Sequence, residues 1–180
     1  MKVHEWKKSK AAGDKGEKIL IKFLNKQDKI KRVVDLSNKK QYQDKDIDLG
    51  LVRVGENNEE IKETAEIKTD SRSNDTGNVF FETHSNLEAN TLGCFLKTKA
   101  DWLLYYCVNE NFVYAARMKD LKPWFLKNLD SFADKKLRNK ATNGRKAYTT
   151  KGKVIPKRTI ETLSFVKKYE GIKERANGKS

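Results

Sequence analysis

Proline, cysteine and histidine are scarce in this chain of 180 residues, which has two of each. Two prolines and ten glycines exclude a collagen-like or linker-like polypeptide. Two cysteines, Cys94 and Cys107, are too few for a disulfide framework or a four-ligand zinc site. No apolar run approaches the roughly 18 residues that suggest a membrane span, so no membrane partner is expected. The opening MKVHEWKKSK is basic but has no apolar stretch behind it, unlike a secretory signal. The expected location is therefore the cytoplasm. Hydrophobic residues make up only 37% of the chain, yet eight Phe, six Tyr and three Trp are enough for one modest core.

Charge of one sign is abundant. Lys and Arg number 39 against 25 Asp and Glu, a formal net charge of +14. From Lys127 to Ser180 there are 16 basic and 5 acidic residues, so 16 − 5 = +11 falls in the last third. Such an excess points to a polyanion, most simply nucleic acid. Charge alone does not choose an activity, since a purely structural nucleic-acid binder has the same excess. The segment from Gln43 to Glu66 runs the other way, with Asp44, Asp46, Asp48, Glu56, Glu59, Glu60, Glu63 and Glu66. An acidic island in a basic protein is either a solvated loop or a metal site facing a phosphate backbone.

Periodicity gives the elements. Ile19, Leu20, Phe23 and Leu24 have helical spacing, Asp14 with Glu17 three residues later reads as a capping box, and the helix is expected to reach back toward Lys10. Lys31–Leu36 reads as a short strand. Asp46–Val54 and Lys62–Asp70 alternate around the turn Gly55–Glu60, as a β-hairpin does. Val79–His84, Asp101–Val108 and Phe112–Met118 read as strands, and Asn86–Lys97 as a loop. Lys119–Leu129 reads as a helix with Pro123 in its first turn. Asp130–Arg145 shows no apolar period, and Thr149–Ile155 reads as an outlying strand. A last helix is expected from Pro156 or Arg158 through Val166, fraying after Gly171. The fold class is α/β (α+β), with a central mixed sheet of about five strands flanked by helices. The expected layout is a core over 1–129 and a basic C-terminal extension over 130–180, packed on that core or continuous with it.

Asp48, Glu66 and Lys68 are the strongest candidates for chemistry. Residues i and i+2 on a strand share a face, so Glu66 and Lys68 point together, opposite Ala65 and Ile67. Ile47 and Leu49 fix Asp48 on the polar side of the neighbouring strand. Two carboxylates with the Ile67 carbonyl between them suit Mg²⁺, or Mn²⁺ as a substitute, a hard cation that takes oxygen ligands and keeps several waters. A lysine beside such a metal can position or deprotonate the attacking water and offset charge on phosphate. The bland alternative is a cross-strand salt-bridge cluster, which contributes about 0.2–1 kcal/mol per pair.

Asp48, 17 intervening residues and then Glu66-Ile67-Lys68 resemble the pattern of the PD-(D/E)xK nucleases. The resemblance spans roughly Gly16 to Leu129 and extends to Glu17 on the first helix, where many of these nucleases place a further carboxylate. The chain departs from the pattern in having Ile47, not Pro, before the Asp. Asp46-Ile47-Asp48-Leu49, Glu66–Asp70 and Asn78–Glu82 look most like phage or mobile-element members, a group that includes Holliday junction resolvases. The resemblance implies a restriction-endonuclease-like core and a Mg²⁺-dependent DNA endonuclease that leaves 5′-phosphate and 3′-hydroxyl ends. For a phage-encoded chain the host cytoplasm is the implied location. It leaves open a branch-specific resolvase acting as a homodimer. A non-catalytic nucleic-acid-binding protein remains the reading from a different class.

Secondary candidates surround this set. Asp46 shares the expected face of Asp48 and competes with it as the metal ligand. Glu82 follows Phe80-Phe81 and is placed to face the same cleft; Tyr42 and Gln43 precede the Asp strand and could touch a phosphate or base. His84 as a general base, and His4 at the terminus, are weaker than a structural role. The resemblance implies that Lys97 and Lys99 border the DNA, and the charge of the last third makes Lys135, Lys136, Arg138, Arg145 and Lys146 the residues expected to hold its backbone. Trp102, Tyr105, Tyr106 and both cysteines read as core.

Overall fold

The computed structural model describes residues 6–140 and 146–178, with side chains from residue 13 onward. The elements in chain order are α1 (Trp6–Leu24), β1 (Ile30–Asp35), α2 (Lys40–Gln43), β2 (Leu49–Val54), β3 (Glu60–Asp70), α3 (Ser73–Thr76), β4 (Asn78–Asn86) and β5 (Thr91–Leu92). They continue as α4 (Cys94–Lys97), β6 (Trp102–Cys107), β7 (Phe112–Arg117), α5 (Met118–Lys127), β8 (Ala133–Asn139), β9 (Tyr148–Pro156), α6 (Lys157–Glu161), β10 (Val166–Glu170) and α7 (Ile172–Asn177). The fold is mixed α/β.

A central sheet has the order β1-β2-β3-β6-β7-β10. β1, β2 and β3 form an antiparallel meander, β3 and β6 run parallel, and β7 and β10 continue antiparallel. β6 and β7 are apolar on both faces because both are covered, as central strands require. Leu104, Tyr106, Val113 and Ala115 meet Leu20 and Phe23 of α1 and Ile172 and Ala176 of α7. Leu103, Tyr105, Phe112 and Tyr114 meet Val79 and Phe81 of β4, Phe125 of α5 and Ile155 of β9. That second layer is a smaller sheet of order β5-β4-β9-β8, supported by α5 and α6.

Four expectations change. The first helix begins at Trp6, so Asp14 and Glu17 lie inside it and form no capping box; the Lys- and Ala-rich text ahead of them favours helix. Asp46–Asp48 lies outside the regular strand, which starts at Leu49. Asn86–Lys97 holds β5 and the short α4 rather than loop alone. The expected last helix stops at Glu161, and Val166–Glu170 pairs with β7 as the sixth strand of the central sheet. Strand β8 also emerges from a segment without apolar alternation. The basic segment after residue 129 thus supplies two strands to the smaller sheet and one to the central sheet.

Candidate active site

β2 and β3 part company at the residues that matter. Their register pairs Leu49 with Ala65, so one step further sets Asp48 opposite Glu66. There the side chain replaces the backbone: the Ile67 N–H donates to Asp48 Oδ2 at 2.7 Å, while the Asp48 N–H donates to the Ala65 carbonyl at 3.0 Å. The ladder is locally completed by a carboxylate, which fixes Asp48 beside Glu66.

Glu66 and Lys68 face away from the core residues Ala65 and Ile67, but the face they occupy is only partly solvated, with Lys68 at its open edge. Glu66 is only 7% exposed, because β4 and α4 of the second layer roof that end of β3. Glu66 Oε2 is buried and has no hydrogen-bond partner among the described residues. Burial first, then the neighbouring Asp48 and Asp46 charges, pushes the Glu66 carboxyl well above its usual range, with Lys68 opposing. Asp48 is also raised by burial, against the Ile67 N–H and its hydrogen bond with Glu66. A buried carboxylate with an unused oxygen lacks either a proton or a cation.

Lys68 lies 3.9 Å from Glu82 Oε2, and its Nζ donates to Cys94 Sγ at 3.6 Å. The Cys94 sulfur, Glu82 and Glu66 raise its pKa against desolvation. Burial pushes the Cys94 thiol up to about 12, so at neutral pH the sulfur is a neutral thiol and the carboxylates keep Lys68 charged. Lys68 is thus an ammonium in the metal-free chain, suited to facing a phosphate or orienting a water rather than to taking a proton. Glu82 also accepts from the Cys94 N–H at 3.4 Å, which ties β4 to the start of α4.

Glu17 approaches from α1. A Cβ on Gly16 would sit 2.5 Å from Thr69 Oγ1, so this glycine lets α1 press onto β3. That contact sets Glu17 within reach of the Asp48 charge. Burial, then Asp48, Asp14 and Asp35, pushes the Glu17 carboxyl up to about 7. A folded pKa above the unfolded value means that the folded state binds the extra proton. The contribution of Glu17 to stability is therefore complete below about pH 4.5 and lost as pH rises through 7. Its ceiling is roughly 3 kcal/mol, reduced by solvent screening at this half-buried position. Glu17→Gln is expected to melt with the parent at pH 4 and above it at pH 8 without metal, read by thermal unfolding at both pH values. A melting temperature lowered equally at both would remove Glu17 from the carboxylate cluster.

Asp46 does not share a strand face with Asp48. It holds a left-handed backbone, φ 47°, which Asp tolerates better than most residues. The Thr98 hydroxyl donates to its carbonyl at 2.6 Å and Lys97 Nζ donates to its Oδ1 at 3.1 Å. Gln43, on α2, donates to the Ser37 carbonyl, and Tyr42 packs with Leu36, Ile47 and Ala100. Lys97, paired with Asp46, and exposed Lys99 two residues on form a basic rim. His84 contacts Thr83 and Leu92 rather than the recess. Tyr105, Tyr106 and Cys107 are core, and Trp102 donates to Glu63 beneath Arg117.

The basic set divides. Lys135, Lys136 and Arg138 lie on β8, and Arg138 is already held by Glu88 and Thr149. Lys146 is exposed. Arg145 and His4 lie outside the described residues. No protein-family model, curated protein or solved structure matches the chain. No described helix is long and apolar enough to cross a membrane.

The structure thus sets Asp48 beside Glu66, brings Lys68, Glu82 and Cys94 into contact, and couples the two groups, with Glu17 and Asp46, by charge. Sequence reasoning missed Cys94 and Thr98 as neighbours of this site. Both come from the short α4 region, where no motif or period marks a contact made across the layers. Among the described residues, no group of three or more His, Cys, Asp or Glu side chains is placed to hold a metal. The donor set is smaller: two carboxylates, one with an unsatisfied buried oxygen, and the backbone carbonyl between Glu66 and Lys68. That set fits Mg²⁺, which binds through one or two carboxylates and retains its waters.

Proposed function

We propose that this chain is a Mg²⁺-dependent DNA endonuclease with a restriction-endonuclease-like core. The observation that supports it best is the buried, partnerless Oε2 of Glu66, held against Asp48 with a charged lysine two residues along. A structural salt bridge would satisfy that oxygen; a cation site leaves it open. Asp48, Glu66 and the Ile67 carbonyl would hold Mg²⁺, with Glu17 behind Asp48. When bound, the ion supplies Lewis-acid polarisation of the phosphate and charge neutralisation. Lys68 orients the attacking water and balances charge growing on the phosphate oxygens, and Glu82 holds Lys68 in place. In-line attack leaves a 5′-phosphate and a 3′-hydroxyl. The Lys97–Lys99 rim and the basic strands after residue 129 grip the backbone.

The test is cleavage of supercoiled plasmid and of a synthetic four-way junction, with Mg²⁺, Mn²⁺, Ca²⁺ or chelator. Turnover is expected with Mg²⁺ and Mn²⁺ only, because Ca²⁺ takes more ligands in looser geometry. Selective cutting of the junction would move the reading to a resolvase. Tight binding without cleavage under any metal would leave a non-catalytic nucleic-acid-binding protein.

A further inference from the structure

Two described aromatic side chains, Phe80 and Tyr148, lie outside every hydrophobic cluster and pack against no other described ring. Both are on the smaller sheet, and both are on the same face of it. Phe80 pairs with Val154 and Glu82 with Gly152, while Tyr148, Gly152 and Val154 alternate on β9. Directly paired residues share a face, as do residues two apart. The face opposite is the one that buries Phe81 and Ile155 in the core.

This face runs out of the proposed active site. Glu82, which touches Lys68, Gly152 and Lys135 form one row across β4, β9 and β8. Strands lie about 4.8 Å apart, so Lys135 is roughly 10 Å from the backbone of Glu82. Gly152 is bare because the Phe80 ring occupies its space: a Cβ there would meet that ring at 2.5 Å. The ring is laid across the sheet and only half-buried. Its backbone is pinned, since the Phe80 N–H donates to the Tyr105 hydroxyl at 2.9 Å. Tyr148 lies four residues beyond Gly152 on β9, roughly 13 Å away. The hairpin from Ala133 to Pro156 has eight Lys and Arg against Asp134, a net 8 − 1 = +7.

We propose that this sheet face binds an unpaired DNA strand, with Phe80 and Tyr148 stacking bases and Lys135 meeting the phosphates, so that the substrate has a single-stranded segment beside the scissile bond. The idea rests on the nuclease reading for its last clause only. Bases inside a duplex have no free face to stack, whereas unpaired bases stack on aromatic platforms whatever their sequence. The hairpin's positive charge matches a polyanion, and the row through Glu82 makes the face continuous with the recess.

The experiment measures binding of short oligo(dT) and of a duplex of equal length to the full chain in chelator, where nothing can be cut. Phe80→Leu and Tyr148→Leu are each expected to weaken oligo(dT) about tenfold, to change duplex affinity less than about twofold, and Phe80→Tyr to restore the parent value. A strand carrying 2-aminopurine should be quenched on binding the unmutated chain, which keeps the test independent of whether a variant folds. No quenching, equal losses on strand and duplex, or tighter binding of oligo(U) than of oligo(dT) would overturn the proposal. Failure of the nuclease reading would show in the cleavage assays and leave these binding arms unchanged.

Discussion

Asp48→Asn and Glu66→Gln are each expected to abolish DNA cleavage and, without metal, to raise the melting temperature. The first effect follows from losing transition-state stabilisation of several kcal/mol, about a thousandfold or more in rate. The second follows from the site itself. Burial and mutual repulsion raise both carboxyls, so a neutral amide relieves the folded state of a charge it resists. The amides are cleaner than alanine: Asn at 48 can still accept the Ile67 N–H, which Ala would orphan. Lys68→Ala should also be inactive, but with the opposite sign in stability, because it removes the cation that offsets Glu66 and Glu82. Cleavage rates and thermal melts of the three variants, with and without Mg²⁺, decide the matter. An ordinary salt-bridge cluster predicts lower stability for all three, and amide variants that melt lower and still cut would sink the assignment. Added Mg²⁺ should raise the melting temperature of the parent more than that of either amide variant, since only a folded-state site gains from the ligand.

The hairpin β2–β3 was legible in the sequence because each strand buries one face and alternates accordingly. Ile47, Leu49, Ala65 and Ile67 determine where Asp48, Glu66 and Lys68 must point. The pair β6–β7 was legible for a different reason, a doubly covered strand being an unbroken apolar run. Strand β8 was not, since ADKKLRN is an edge strand whose side chains are mostly polar on both faces. Strand β10 was misread as helix because Ile160, Leu163, Phe165 and Val166 have helical spacing. Ile160 does lie on α6, but Phe165 and Val166 pack onto the central sheet past a turn. What covers the polar face of Glu66 and Lys68 was not legible for a related reason. Its roof contacts, Glu82 on β4 and Cys94 on α4, lie 14 and 26 residues from Lys68 in the chain. Local pattern specifies which way a side chain points; it does not specify what is folded over it.

Neutralising the hairpin is expected to weaken DNA binding steeply at low salt and to flatten its salt dependence. Each phosphate contact that disappears removes about 0.9 from the slope of log affinity against log salt. The structure narrows the residues to change. Arg138 bridges Glu88 and Thr149, and Lys151 and Lys153 are paired with Asp134, so altering them would disturb β8–β9 as well as its charge. Lys135, Lys136 and Lys146 have no ion-pair partner among the described residues and are the cleaner choice. Their replacement by Ser should raise KM for DNA with little change in kcat, because binding that is equal in ground and transition states is what they supply. Salt titrations of the Glu66→Gln protein, with the hairpin intact and neutralised, provide the measurement. Coinciding slopes would place the grip on the rim formed by Lys97 and Lys99. There the release of Lys97 from Asp46 would become part of the cost of binding, and Asp46→Asn should then tighten DNA rather than leave it unchanged.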